Sequence, residues 1–355
     1  MRKYCGLSLV ITLTWMMLPA NSRAQRADFK VGGIQAAPGT RASGFLEVAA
    51  KGGTDSGTRI PVTVIHGSKN GPVLALVAGT HGYEYSPIVA MQQFPWKVEP
   101  RELAGTIIVV HVANMPSFLG RTVYYSPVDG KNLNRVYPGK ADGTITERIA
   151  DQITREVIDR ADYLIDLHCG DGNEALRPYV YWEAVGTPEV KEKSKQLALA
   201  FGLDHIVIET ERPTDLAKSI YTSTTAIARG KGAFTSETGL LGRVDTDGAD
   251  LAETGVFNVL RYLKMLPGEA KEVEYPIWID KSEVLRSSIT GIFRSRVSPG
   301  QTVVKGRLLG ILTDFFGNQV QEVRAPFDGE VLYVVATPPV NQGEPLGMVG
   351  HFKKE

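Results

Sequence analysis

From Arg59 onward the apolar positions fall into two alternating kinds of run. Ile60–His66 alternates like a strand. Val73–Ala78 is nearly continuous in apolar residues, as in a strand covered on both faces. Gly79-Thr80-His81-Gly82 then turns the chain, and Ser86–Phe94 reads as a helix. Thr106–Ala113 predicts a second buried strand and Tyr163–Leu167 a third. Between them Thr146–Arg160 predicts an amphipathic helix, because Ile149, Ile153 and Val157 recur every four residues. Pro188–Phe201, Ser219–Arg229 and Asp250–Leu263 predict further helices, and His205–Ile208 and Ala233–Ser236 further strands. Strands alternating with helices predict an α/β/α arrangement, a sheet with helices on both faces, over residues 59–268.

The flanks differ. Residues 25–58 read as an irregular lead-in to the catalytic region. Residues 269–355 lose helical periodicity and carry short strands between turns such as Pro299-Gly300-Gln301 and Asp328-Gly329-Glu330, which predicts a small all-β barrel-sandwich. The run from Gly291 to Val334 resembles lipoyl- and biotinyl-type modules. It has no lysine between Gly306 and Glu330, so no swinging cofactor arm is expected. The module is read as a structural cap or as a contact between copies in a homo-oligomer. Residues 1–24 have a positive start at Arg2 and Lys3, an apolar run Gly6–Leu18, and small residues near Ala24. That is the layout of a cleaved signal peptide and predicts export, to a periplasm. The apolar run is short for a membrane anchor, and no later segment is long and apolar enough to span a bilayer.

Composition narrows the function. Lys+Arg and Asp+Glu are both 39, and removal of the leader leaves 36 basic residues against 39 acidic ones. A neutral to slightly acidic chain argues against nucleic acid as a partner. Apolar residues at 43% allow a large core. Without its leader the chain keeps one cysteine, Cys169, and so no internal disulfide; that thiol is expected to be buried and inert.

The residues able to do chemistry stand at strand exits. His81 and Glu84 follow the Val73–Ala78 run, and an imidazole with a carboxylate three residues on can be aimed at one metal ion. Taken alone, this common pair reads as a polar turn rather than a metal site. Asp166-Leu167-His168-Cys169-Gly170 ends the third buried strand, at the edge where open α/β sheets form ligand crevices. His168 would complete a two-His, one-Glu set with an open fourth position, the pattern of a catalytic zinc. Asp166 can then support a ligand from behind or orient the loop. Glu237, in Thr235-Ser236-Glu237-Thr238-Gly239, ends another strand and can take a proton from a zinc-bound water. Asn134 and Arg135 lie in the Gly/Pro-rich loop Ser126–Gly139, where a guanidinium suits a carboxylate. Arg121, upstream, can polarise a substrate carbonyl. His66, His111, His205 and His351 have no spaced partner and are read as structural.

The segments GTHGYE, NLNRVYPG, DLHCG and SETG, in this order, resemble the succinylglutamate desuccinylase/aspartoacylase family of the zinc carboxypeptidase clan. The resemblance implies a mixed sheet within an α/β/α fold, with His81, Glu84 and His168 as ligands of one zinc per chain. It implies Glu237 as the catalytic carboxylate, and Asn134 and Arg135 as the grip on the substrate carboxylate. Asn132 stands where the family usually has Asp, which removes a charge behind a zinc ligand. Tyr124 and Tyr125 stand where the carbonyl-polarising arginine is usual, so Arg121 is displaced from that place.

The reading that joins these features is a zinc-dependent deacylase that cleaves the amide bond of an N-acyl amino acid or similar small carboxylate. A metallocarboxypeptidase acting on peptides or cell-wall fragments uses the same residues, and ester hydrolysis is chemically open to such a site. A non-catalytic binding protein is disfavoured by the complete set of His81, Glu84, His168 and Glu237.

Overall fold

The computed structural model describes Met1, residues 26–271 and residues 273–353. The expected leader therefore lies, apart from Met1, outside the described residues. Its centre is a mixed sheet of 13 strands among the described residues. Lys69–Ala78 is flanked in parallel by Ala104–Val110 and by Tyr163–His168, and Gly232–Glu237 pairs in parallel with the outer side of Tyr163–His168. Tyr179–Glu183, a strand with no counterpart in the sequence reading, runs antiparallel to Gly232–Glu237 and makes the sheet mixed on that side.

Side-chain alternation explains why these strands read as continuous apolar runs. Ala75, Val77, Ile108, Val110 and Leu164 face one core, shared with Ile145, Ile149 and Ile153 of the helix Ile145–Ile153. Leu74, Leu76, Ile107, Val109 and Ile165 face the other, under the helices Tyr85–Lys97, Pro188–Phe201 and Thr246–Tyr262. Both faces of each central strand are therefore buried. The helix expected over Thr146–Arg160 ends at Ile153 and passes into a single π turn, Thr154–Ile158.

The lead-in is corrected. Phe29–Val31 and Ile34–Ala36 form a small hairpin, and Thr40–Val48 is a nine-residue strand at the sheet edge, paired along its length with Thr58–His66. With a neighbour on one side only, this strand keeps alternate residues exposed, so its polar positions mask it.

The C-terminal segment is woven into the same sheet. Ile277–Arg286 pairs in parallel with His205–Glu209 and antiparallel with Pro345–Phe352, which continues to Gly329–Val335. A separate four-stranded antiparallel sheet is built from Gln319–Arg324, Leu308–Thr313, Gly291–Ser295 and Pro339–Val340. Among the described residues no helix is long and apolar enough to cross a membrane.

Arg148 fastens the helix Ile145–Ile153 to the loop before Thr58. Its guanidinium is buried, and one nitrogen donates to both oxygens of Asp55 at 2.9 and 2.8 Å and to the Ala49 carbonyl at 2.9 Å. Removing one partner of such a pair strands the other. Arg148→Ala is expected to lower unfolding free energy by about 3 kcal/mol, seen as a lower urea midpoint with an unchanged slope.

Candidate active site

Three parallel strands end side by side, and the candidate residues sit at their C-terminal ends. The first turn leaves Ala78 through Gly79 and delivers His81 and Glu84 just before the helix Tyr85–Lys97. Gly82 belongs there because a Cβ would lie 2.0 Å from the backbone nitrogen of Phe118. Gly239, after Glu237, has φ +96°, and a Cβ there would lie 2.3 Å from Ser86 Oγ. The first glycine thus lets its turn approach the backbone of the helix Met115–Gly120, and the second leaves room for the Ser86 side chain.

Glu84 lies between two imidazoles. His81 Nδ1 is 2.6 Å from its Oε1, and His168 Nδ1 is 2.8 Å from its Oε2. The outer nitrogens are also engaged: His81 Nε2 lies 3.1 Å from Asn132 Oδ1, and His168 Nε2 lies 3.1 Å from Asp166 Oδ2. Asn132 Oδ1 accepts the Asn134 amide at 2.8 Å as well, so one side chain caps the Leu133–Arg135 turn and holds a histidine. Burial alone would raise Glu84, but His168 and His81 hold its carboxyl down at about 2. Burial opposes charge on His168 too, yet Asp166 and Glu84 raise it well above its ordinary value. His81 is likewise raised by Glu84 against the cost of burial.

This donor set fits a divalent metal. With its Nε2 hydrogen directed at Asn132 Oδ1, a neutral His81 turns its Nδ1 lone pair toward the Glu84 carboxylate. An acceptor then faces an acceptor, an arrangement satisfied either by an extra proton or by a cation. The donor atoms of His81, Glu84 and His168 all lie within 4.8 Å of one another, and all three residues are buried. Two imidazole nitrogens and one carboxylate oxygen suit a borderline ion such as zinc.

Glu237 is in register with His168 on the adjacent parallel strand and lines the same cavity. Burial, reinforced by Glu84, Glu174 and Asp166 against the pull of His168, pushes its carboxyl well up. The cavity holds about 960 Å³. Ser282, Val284, Arg286, Tyr333, Pro345 and Met348 of the C-terminal segment form part of its wall.

Asn134 and Arg135 reach the cavity, but with different freedom. Asn134 Oδ1 accepts from the Thr222 amide at 2.9 Å and from its hydroxyl at 3.2 Å, while Nδ2 lies 3.3 Å from His168 Nε2. The expected carboxylate grip of Asn134 is thus restricted to its amide NH2, since its oxygen is committed. Arg135 donates to the Asn134 carbonyl at 2.6 Å, stacks on Tyr221, and forms no ion pair among the described residues.

The expectation for Arg121 is corrected. It is the exposed, left-handed cap of the short helix Met115–Gly120 and does not line the cavity. Tyr124 and Tyr125 do. Tyr124, with φ +59°, turns its ring edge toward His81 and donates its hydroxyl to Glu174 at 2.6 Å. Burial pushes Glu174 up to about 7, against that hydrogen bond.

The sequence reading also missed Arg212, Tyr179, Tyr181 and Tyr221, all on the cavity wall. The two strand tyrosines alternate in Tyr179-Val180-Tyr181, a faint signal; Arg212 sits in a polar stretch with no periodicity. Cys169 is buried, and burial pushes its thiol well up, as expected of an inert sulfur. His66, His111, His205 and His351 are each hydrogen-bonded outside the cluster, to Thr106, Thr63, Asp204 and Asp280.

Fold and donor set together define a mixed α/β protein with a candidate metal centre at the C-terminal edge of parallel strands. Residues 70–263 match the succinylglutamate desuccinylase/aspartoacylase catalytic domain, and the chain belongs to that family. It is similar to N-alpha-acetyl-L-2,4-diaminobutyric acid deacetylase of Halomonas elongata, 29% identical over 332 residues that cover 91% of this chain and 93% of the relative. Among solved structures it is similar to the product-bound ectoine utilization protein EutE (DoeB) from Ruegeria pomeroyi, with TM-score 0.78, 26% identity, and coverage of 87% of this chain and 95% of that one. A succinylglutamate desuccinylase from a Silicibacter species shares the fold at TM-score 0.79 and 24% identity, covering 92% of this chain and 100% of that one.

The contacts behind the histidines should tune metal affinity in opposite directions. Asp166→Ala is expected to weaken zinc binding about 10- to 100-fold, and Asn132→Asp to strengthen it, both read by competition with a chelator. His168→Ala should abolish binding, and His205→Ala should leave it unchanged.

Proposed function

We propose that the chain is a zinc-dependent hydrolase that removes the acyl group from an N-acyl amino acid or a similar small carboxylate. The observation that carries this reading is the buried His81–Glu84–His168 cluster with Glu237 in register beside it. When bound, zinc supplies Lewis acidity, polarising a carbonyl and lowering the pKa of water to about 7. His81, Glu84 and His168 would hold it, with Asn132 and Asp166 fixing the two rings.

The remaining steps belong to the chain. Glu237 takes a proton from the attacking water and returns it to the leaving amine, a role in keeping with the proton affinity that burial and its acidic neighbours raise. Arg135, exposed at the cavity and without an acidic partner among the described residues, offers its planar edge to the substrate carboxylate. The C-terminal wall of the cavity supports a small substrate over an extended peptide. The name of the Halomonas elongata relative supports an N-acylated amino acid as the class.

Two substitutions test the reading. Glu237→Gln should keep the metal and lower kcat by about 10²- to 10⁴-fold on N-acyl amino acids. A near-normal rate would remove Glu237 from the mechanism. Arg135→Lys should lower kcat/KM about 10- to 100-fold for a free-acid substrate but not for its methyl ester, with zinc content unchanged. Equal losses on acid and ester would mean that Arg135 does not read the carboxylate.

A further inference from the structure

A second guanidinium stands in the cavity beside Arg135. Arg212 follows the strand His205–Glu209, and its guanidinium carbon lies 3.9 Å from the centre of the Tyr221 ring. That of Arg135 lies 4.6 Å from the same ring. Two like charges therefore share one aromatic side chain, which favours both through its π face but does not cancel their repulsion.

The compensation is one-sided. Arg212 Nε donates to Glu209 Oε2 at 3.2 Å. Glu183, 1% exposed, is the acid whose charge does most to hold Arg212 protonated against burial. Glu183 Oε1 accepts from Ser223 and Thr235, both at 2.8 Å, while its Oε2 has no hydrogen-bond partner among the described residues. Glu209 takes the Nε hydrogen of Arg212, whose Nη groups have no hydrogen-bond partner among the described residues. Arg135 spends one Nη1 hydrogen on the Asn134 carbonyl and meets no acid. A guanidinium packed over a ring does not use its N–H hydrogens on that ring's edge and keeps those without a partner for a carboxylate. The hydrogens left over suit one carboxylate held from two sides rather than two separate anions.

The stack is also tied to the metal-ligand cluster. Arg135 follows Asn134, and Tyr221 precedes Thr222. The Asn134 oxygen takes both the amide and the hydroxyl of Thr222, and its nitrogen lies 3.3 Å from His168 Nε2. The two loops are thus joined one residue from the stack, at a side chain that touches a metal-ligating histidine.

We propose that Arg135 and Arg212, held on Tyr221, form a two-guanidinium clamp for one substrate carboxylate, with Arg212 as a specificity-determining residue and Tyr221 as a positioning residue. The clamp rests on the deacylase reading given above and adds a second point of contact at the carboxylate end.

The test is steady-state kinetics of the zinc-loaded protein on an N-acyl amino acid and on its methyl ester, with metal content and thermal melting measured for every variant. Arg212→Gln is expected to raise KM for the acid about 10- to 100-fold, leaving kcat, zinc content and the ester reaction unchanged. Arg212→Lys, which keeps charge without the planar edge, should raise KM in the same direction and serves if the Gln variant does not fold. Tyr221→Phe should keep the acid KM, and Tyr221→Leu should raise it. An unchanged acid KM in a folded Arg212 variant, or equal losses on acid and ester, would overturn the clamp. A Phe variant as impaired as the Leu variant would overturn the positioning role of Tyr221. Failure of the unaltered protein to hydrolyse any N-acyl amino acid would instead remove the deacylase reading, a separate result.

Discussion

Glu84 presents one carboxylate oxygen to His81 Nδ1 at 2.6 Å and the other to His168 Nδ1 at 2.8 Å, with all three side chains buried at the floor of the cavity. Much of the surrounding structure reads as the means of holding these three groups together. Two buried strands must end at the same level, which their parallel pairing ensures. The turns that carry them must pass closer to their neighbours than a Cβ permits, to the Phe118 backbone at Gly82 and to the Ser86 side chain at Gly239. The outer ring nitrogens must be held so that the inner ones face the carboxylate, which Asn132 does for His81, and Asn134 with the nearby Asp166 carboxylate does for His168. Burying such a set costs several kcal/mol per charge unless charge and hydrogen bonds are matched. The matching extends through Thr80, whose hydroxyl lies 3.3 Å from Asp166 Oδ1.

The same register that builds the cluster sets the chemistry beside it. Glu237 stands opposite His168 on a parallel neighbour and opposite Tyr179 on an antiparallel one. The change of direction at this point opens the sheet edge and brings Tyr179 and Tyr181 into the cavity wall, where a further parallel strand would have continued the covered layer. Polar groups of the wall then come from loops, with Arg135 and Arg212 both packed over the Tyr221 ring.

How much of this was legible followed the physics of each segment. Strands buried on both faces announced themselves as apolar runs, and the residues just beyond them, His81, Glu84, His168 and Glu237, could be singled out as strand exits. Thr40–Val48 was not legible because an edge strand with one solvated face has no run to show. Arg121 was misplaced because the left-handed cap after Gly120 turns it outward, and nothing in the local composition marks that turn. Arg212 was invisible for a different reason. Its meaning lies in Tyr221, Glu183 and Arg135, which no spacing rule connects with it.

One consequence follows from the strand Ile277–Arg286. It is a parallel neighbour of His205–Glu209 on one side and the anchor of the C-terminal β segment on the other, and it contributes Ser282, Val284 and Arg286 to the cavity. This part of the cavity wall is therefore not a detachable lid. Grafting this segment from one relative onto another would transplant a continuous length of sheet, and the graft would have to honour the hydrogen-bond ladder before it could alter selectivity. Diversification of substrate choice in this scaffold is channelled toward single side chains facing the cavity, which can vary without disturbing the ladder that carries them.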